Sequence, residues 1–178
     1  KNHGYDRLVR DGKMIGLITC EQGAFEVTPP QTADGDWTVE QFMDWPISDI
    51  STIDIDGDGE LEYATIEPFH GQYFRIYKRI GGKFECIFEH PETTEFYHVV
   101  VGATLAGTPV FIGGCRRGKQ QLFYVRATRK APLELEAVVI EEGVGPSNVH
   151  VVNEAGRDII VSANREKAEA ALYFVTKD

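Results

Sequence analysis

Between Asp54 and Glu62 the chain reads DIDGDGELE, a loop with carboxylates at its first, third, fifth and ninth positions and a glycine at the sixth. Oxygen donors at that spacing can wrap a hard cation, and the glycine permits the sharp turn that brings them together. The pattern predicts one Ca²⁺ held by Asp54, Asp56, Asp58 and Glu62, with Glu60 supplying its backbone carbonyl, in a structural role. No glutamate follows at the twelfth position, so a helix-loop-helix site is not expected. The competing reading is a bare solvated turn, against which stands the mutual repulsion of four crowded carboxylates.

A second set of residues is defined by its distance from four glycines, Gly12, Gly59, Gly107 and Gly156. His3 and His98 each stand nine residues before their glycine, and His150 six before its own. Glu21, Arg116 and Arg165 stand nine residues after, with Glu67 and His70 at and just beyond the matching point of the second unit. Imidazoles can bind a transition metal or move protons, and guanidinium groups can hold an anionic or enolate oxygen. If this set does chemistry, His3, His70, His98 and Arg116 are its catalytic candidates, and His150, Arg165, Glu21 and Glu67 its ligand contacts. A second divalent metal, Zn²⁺ or Mn²⁺, would then accompany Ca²⁺. The alternative is a set of ordinary rim residues bonded to turns. His90 lies outside the pattern and reads as an exposed strand-end residue. Tyr5, Trp45, Phe69, Phe96 and Tyr97 are placed either to stack on sugar faces or simply to fill a core. Cys115 reads as a small buried hydrophobe.

Composition narrows the setting. With 178 residues, 18 basic and 28 acidic side chains and a net charge of -10, the chain lacks the clustered cations that a nucleic acid or an anionic membrane requires. Its apolar runs fall far short of the roughly 20 residues that cross a bilayer. Three widely spaced cysteines argue against a disulfide framework and favour a reducing compartment, so a cytoplasmic location is slightly preferred over an extracellular one. Lys1 is neither an initiator methionine nor part of a basic-then-apolar leader, which points to processing upstream. Motifs for a nucleophile elbow, a phosphate loop or a zinc-protease helix are absent from the sequence.

The elements that must carry these residues are strands. Short runs rich in Val, Ile, Phe and Tyr are punctuated by Gly, Pro, Asp and Asn at intervals of about 8–12 residues, the pattern of consecutive antiparallel strands. Thr38 to Trp45 and Arg165 to Ala171 fit either a helical turn or two, or strand and loop. Aligned on the four glycines, the segments each show a polar pair followed by an apolar triplet, and the glycines are 47, 48 and 49 residues apart. Four strand-like runs per repeat of that length predict an all-β fold, a β-propeller of about four blades, over a sandwich with evenly spaced turns. The single domain divides at about 1–47, 48–91, 92–143 and 144–178, and the fourth unit stops after its third strand. If the first strand of each blade lines the channel, the acidic turn emerges on one face. The histidine and arginine set then emerges on the other.

A DxDGDGxxE loop between the first two strands of such a blade resembles the FG-GAP or VCBS-type repeat propellers. The second unit alone carries the full motif; the matching turns read Arg10-Asp11-Gly12, Leu105-Ala106-Gly107 and Asn153-Glu154-Ala155-Gly156. Phe69-His70-Gly71, the stretch from Phe96 to Gly118, and the segments ending at Arg116 and Arg165 are similar to a bacterial branch of these propellers related to the propeller part of aldos-2-ulose dehydratases. The resemblance implies a calcium-stabilised module that binds a small ligand of the carbohydrate class, or a partner, at the channel mouth. The alternative it implies is a lyase or isomerase acting on a sugar or keto-sugar. Four blades alone make a tight ring, and the N-terminal unit has no spare strand to lend. A larger ring of roughly six to eight blades is therefore expected, completed by further blades or by a second chain.

Overall fold

The computed structural model describes residues 2–68, 71–154 and 156–176. Fifteen strands form four antiparallel sheets, each a simple meander. Blade 1 comprises β1 (Asn2–Arg10), β2 (Lys13–Cys20), β3 (Gly23–Thr28) and β4 (Thr38–Met43). Blade 2 holds β5 (Asp49–Ile53), β6 (Glu62–Glu67), β7 (Tyr73–Ile80) and β8 (Lys83–Glu89), and blade 3 holds β9 (Tyr97–Leu105), β10 (Thr108–Cys115), β11 (Leu122–Lys130) and β12 (Leu133–Glu141). Blade 4 has three strands, β13 (Pro146–Glu154), β14 (Arg157–Asn164) and β15 (Glu169–Val175). The molecule is thus an all-β, four-bladed propeller, as its repeat predicts. Of the two segments that the sequence left open, the first resolves as strand and the second as a short 3₁₀ turn followed by strand. Thr38–Met43 forms β4, and a single 3₁₀ turn at Arg165–Lys167 leads into β15.

The innermost strands pack in chain order, β1 on β5, β5 on β9 and β9 on β13. Three hydrophobic clusters fill the junctions between successive blades. Leu8, Leu17, Met43 and Ile50 join blades 1 and 2; Phe74, Tyr97, Phe111 and Phe123 join blades 2 and 3; Leu105, Ile112, Val144 and Ile160 join blades 3 and 4. Each large side chain buried in this way contributes about 1.5–3 kcal/mol. Among the described residues no cluster joins blade 4 to blade 1. Close approach of neighbouring blades depends on glycines at each junction. A Cβ on Gly4 of β1 would meet Asp49 Oδ1 at 2.5 Å, and one on Gly102 of β9 would meet the Thr52 carbonyl oxygen at 2.6 Å.

The meander fixes two faces. Connections from a blade's second to third strand, and from its last strand to the next blade, share one face with Glu21, Arg116 and Arg165; the acidic turn between β5 and β6 lies on the other. No helix of the described residues is long and apolar enough to cross a membrane.

Candidate functional site

At the first-strand ends the His3 and His98 rings lie edge to face with centroids 6.2 Å apart, although they belong to blades 1 and 3. Phe96 stacks on His98 (5.4 Å, interplanar angle 23°), and the Arg116 guanidinium lies over Phe96 at 5.1 Å. Arg116 is fixed by its strand end, where its backbone N–H donates to the Phe96 carbonyl (2.8 Å). Glu166 then connects the two arginines, 3.9 Å from Arg116 Nε and 2.7 Å from Arg165. Burial and the neighbouring Arg165 charge pull the Arg116 guanidinium below its ordinary range, while Glu166 works the other way. His3, His98, Arg116 and Arg165 are thereby brought into one line of contacts on the face opposite the acidic turn.

Glu166 was not legible as a site residue, because it falls in a stretch whose secondary structure the sequence left open. It is placed by the 3₁₀ turn docking on the β12–β13 connection, where Arg165 and Glu166 N–H groups donate to the Gly145 and Val144 carbonyls (both 3.2 Å). Asp49 is a second residue that the offsets miss. At the start of β5, pressed against Gly4, it is pushed up to about 7 by burial, with Asp6 adding to the shift and the Ile50 N–H opposing it. A carboxyl poised there can hold or release a proton near neutral pH.

Other members of the expected set lie differently. Glu67 is 3% exposed and accepts four hydrogen bonds, from Trp45 Nε1 (2.8 Å), Thr65 Oγ1 (2.7 Å), Arg75 (2.9 Å) and Tyr77 Oη (3.1 Å). Asn164 occupies the same repeat position in blade 4, bonded to Ser162 and Tyr173, whereas blades 1 and 3 bury Cys20 and Cys115 there, so the polar site is shared by blades 2 and 4. Glu21 lies exposed in the β2–β3 turn, and His150 is exposed within β13. His70 and Phe69 fall outside the described residues. His90 corrects its expectation: it is buried, tilted onto Phe123 at a centroid distance of 4.2 Å, and its Nδ1 shares a 2.8 Å hydrogen bond with Tyr97 Oη. The strand end meets the β9 aromatic layer here, and burial lowers the imidazole's pKa. Tyr97 is core, Trp45 is tied to Glu67, Phe96 belongs to the rim, and Tyr5 is neither core nor rim but exposed on the sheet face of blade 1 turned away from blade 2. Cys115 is buried, and burial raises its thiol pKa.

On the opposite face the acidic turn is ordered by its own carboxylates. Gly57 and Gly59 take positive φ, and Asp54 accepts the N–H groups of Gly57 (2.6 Å), Asp58 (3.1 Å) and Gly59 (2.9 Å). Oxygens of Asp54, Asp56 and Asp58 come within 4.8 Å of one another. The donor set is the all-oxygen one that a hard cation needs. Three of its members converge on the Lys78 ammonium of β7, at 2.8 Å from Asp56, 2.7 Å from Asp58 and 2.6 Å from Glu62. Burial works against the ammonium charge, but the three carboxylates outweigh it and hold Lys78 well above the ordinary lysine range. Glu62, with no exposed surface, is instead raised, because burial outweighs its bonds to Lys78 and to the Ile55 N–H. The two directions differ because Lys78 answers to three acids and Glu62 to one cation. The side chain of Glu60 is exposed and outside this network.

Comparison of the sequence with models of known protein families and with curated proteins finds no match in either.

Proposed function

We propose that this propeller is a binding module whose channel mouth takes a small, negatively charged ligand of the carbohydrate class. The observation that carries this reading is the line His3, His98, Phe96, Arg116, Glu166 and Arg165, which gathers residues of blades 1, 3 and 4 on one face. An aromatic and imidazole stack offers a flat surface for a sugar ring, and two guanidinium groups offer donors to an acidic substituent. Calorimetric titration with glucuronate and with glucose tests it. Saturable binding of the acid alone, weakened about tenfold by Arg116→Ala, is expected. Equal heats for both sugars, or none for either, would remove the reading.

The acidic turn supports the resemblance to FG-GAP or VCBS-type repeats, since it lies between the first two strands of blade 2. Ca²⁺ in this turn would be held by Asp54, Asp56, Asp58, Glu62 and the Glu60 carbonyl, and would tie β5 to β6 in competition with the Lys78 ammonium. The alternative, a sugar or keto-sugar lyase or isomerase, is favoured by one observation, the Asp49 carboxyl poised near 7 on the same side of the molecule as the rim histidines. Metal analysis of the purified protein separates the readings. Zn²⁺ or Mn²⁺ at one equivalent supports the enzyme, and Ca²⁺ alone the module.

A further inference from the structure

Alternation along the strands divides each blade into two sheet faces, and at the ends of the molecule one face of each blade stays uncovered. In blade 1, Leu8 and Leu17 point toward blade 2, so their strand neighbours point away. The face that results carries Tyr5, Val9, Met14, Ile18, Phe25 and Val39, aligned across the sheet by the pairs Tyr5 with Ile18, Val9 with Met14, and Ile18 with Phe25. Tyr5 is 65% exposed, Val9 69% and Val39 60%. In blade 4, Ile160, Tyr173 and Val175 pack against blade 3. The opposite face carries Val152, Ile159, Val161, Leu172 and Phe174, again in register through Val152 with Ile159, Ile159 with Phe174 and Val161 with Leu172. Leu172 and Phe174 are 56% and 58% exposed. Isolated exposed apolar residues are ordinary, but two whole sheet faces are not.

We propose that these two faces pack on each other between two copies of the chain, blade 1 of each against blade 4 of its partner, closing an eight-bladed ring. The faces are of opposite hand: blade 1 offers the side that receives a preceding blade, and blade 4 the side that receives a following one. Every junction inside the molecule pairs those same two sides. One chain carries one face of each kind, so a second copy supplies both missing partners and a two-fold axis along the channel closes the ring without leaving an open sheet face. Eight blades lie within the usual range of about four to eight. Area agrees with this. A three-stranded face with strands about 4.8 Å apart and about 25 Å long covers roughly 350 Å², so two seams remove roughly 1,400 Å² in all, inside the range of stable interfaces. Charge agrees as well. Although the chain carries a net charge of -10, the ionic groups at these faces are few: Arg7 on one, and on the other Arg157 and Glu154, 3.6 Å apart with Arg157 over the Phe174 ring, and His150, the cross-strand partner of Val161.

Light scattering on the full chain tests the proposal, with a mass about twice 19.9 kDa expected. Val9→Glu and Phe174→Glu each place a charge in both seams and should weaken association at least about a hundredfold, while circular dichroism melts confirm that each variant still folds. Mixing the two variants is the decisive arm. A head-to-tail dimer of one variant with the other has one seam free of both substitutions, so the mixture should associate more tightly than either variant alone. A mass of 19.9 kDa for the unaltered chain would overturn the proposal, as would a growing filament, which would mean that the seams do not close. Loss of association in Val9→Glu but not in Phe174→Glu would show a face-to-face blade 1 dimer and overturn it too.

Discussion

Lys78 and Asp49 are two charged positions at which the environment, more than the residue type, decides behaviour. The ammonium of Lys78 stands where three carboxylates of the acidic turn converge, so removing it leaves Glu62 buried among uncompensated charge. Lys78→Met should therefore lower stability by about 3 kcal/mol in chelator and recover most of that loss on addition of Ca²⁺. Equal melting temperatures with and without Ca²⁺ in this variant would mean that the turn binds no metal. At the other face, Asp49 binds its proton more tightly folded, near 7, than it would unfolded, near 3.9. Between those values the native state holds more protons, so its stabilisation is complete below about pH 4 and is lost as pH rises through about 7. Asp49→Asn should flatten that slope and raise stability at pH 8 by about 2 kcal/mol, allowing for the side chain's partial exposure. Chemical denaturation across pH 4 to 8 for both proteins measures it.

Among the elements, the repeat position that buries Cys20 and Cys115 in blades 1 and 3 is filled by a buried polar group at the end of the second strand in blades 2 and 4, Glu67 in β6 and Asn164 in β14. Each is joined by the hydroxyl residue two before it and by a tyrosine of the next strand, Tyr77 or Tyr173. Glu67→Ala strands the donors of Trp45, Arg75 and Tyr77 at once and should cost about 3 kcal/mol, read from the shift in denaturation midpoint. Glu67→Gln keeps the shape and should cost less. The same strand ends mark the limit of what residue spacing encodes. Glycine-centred spacing carries strand order and faces, because alternation and turn chemistry are local, and so His3, His98 and Arg116 could be assigned to one end of the blades. Spacing says nothing of which way a side chain turns at the strand end. Glu67 and Arg116 sit at neighbouring repeat positions, yet one is sealed in a blade and the other lies over Phe96. Lys78 and Glu166 were invisible for a related reason: Lys78 meets its three carboxylates, and Glu166 meets Arg116, across contacts between segments far apart in the chain that only folding creates.

At the scale of the molecule, blades communicate through narrow seams, and the seam between blades 2 and 3 divides the chain into halves. There Gly102 lets β9 approach β5, and its N–H donates to Ser51 Oγ at 2.9 Å, while Ser51 in turn donates to Asp6 of β1 at 2.8 Å. One chain of hydrogen bonds thus crosses the first three blades at their inner edge. A valine at position 102 would bring its Cβ to 2.6 Å from the Thr52 carbonyl oxygen, 3.2 Å from its carbon and 3.3 Å from Ile53 Cβ, and backbone cannot step aside as a flexible side chain can. The strands must separate, loosening the Phe74, Phe111 and Phe123 packing behind them, at a cost of about 2–3 kcal/mol. In a repeat array stability is close to a sum of unit and nearest-neighbour terms, so weakening one seam lowers cooperativity as well as the midpoint. Calorimetry of Gly102→Val should resolve two thermal transitions, or one with a van't Hoff enthalpy well below the calorimetric enthalpy. Gly82→Ala serves as the control: at φ of 83° with no neighbour near its Cβ, it should cost about 1 kcal/mol and keep a single transition. One sharp transition in both variants would show that the four blades fold as an indivisible unit and that the seam does not limit their coupling.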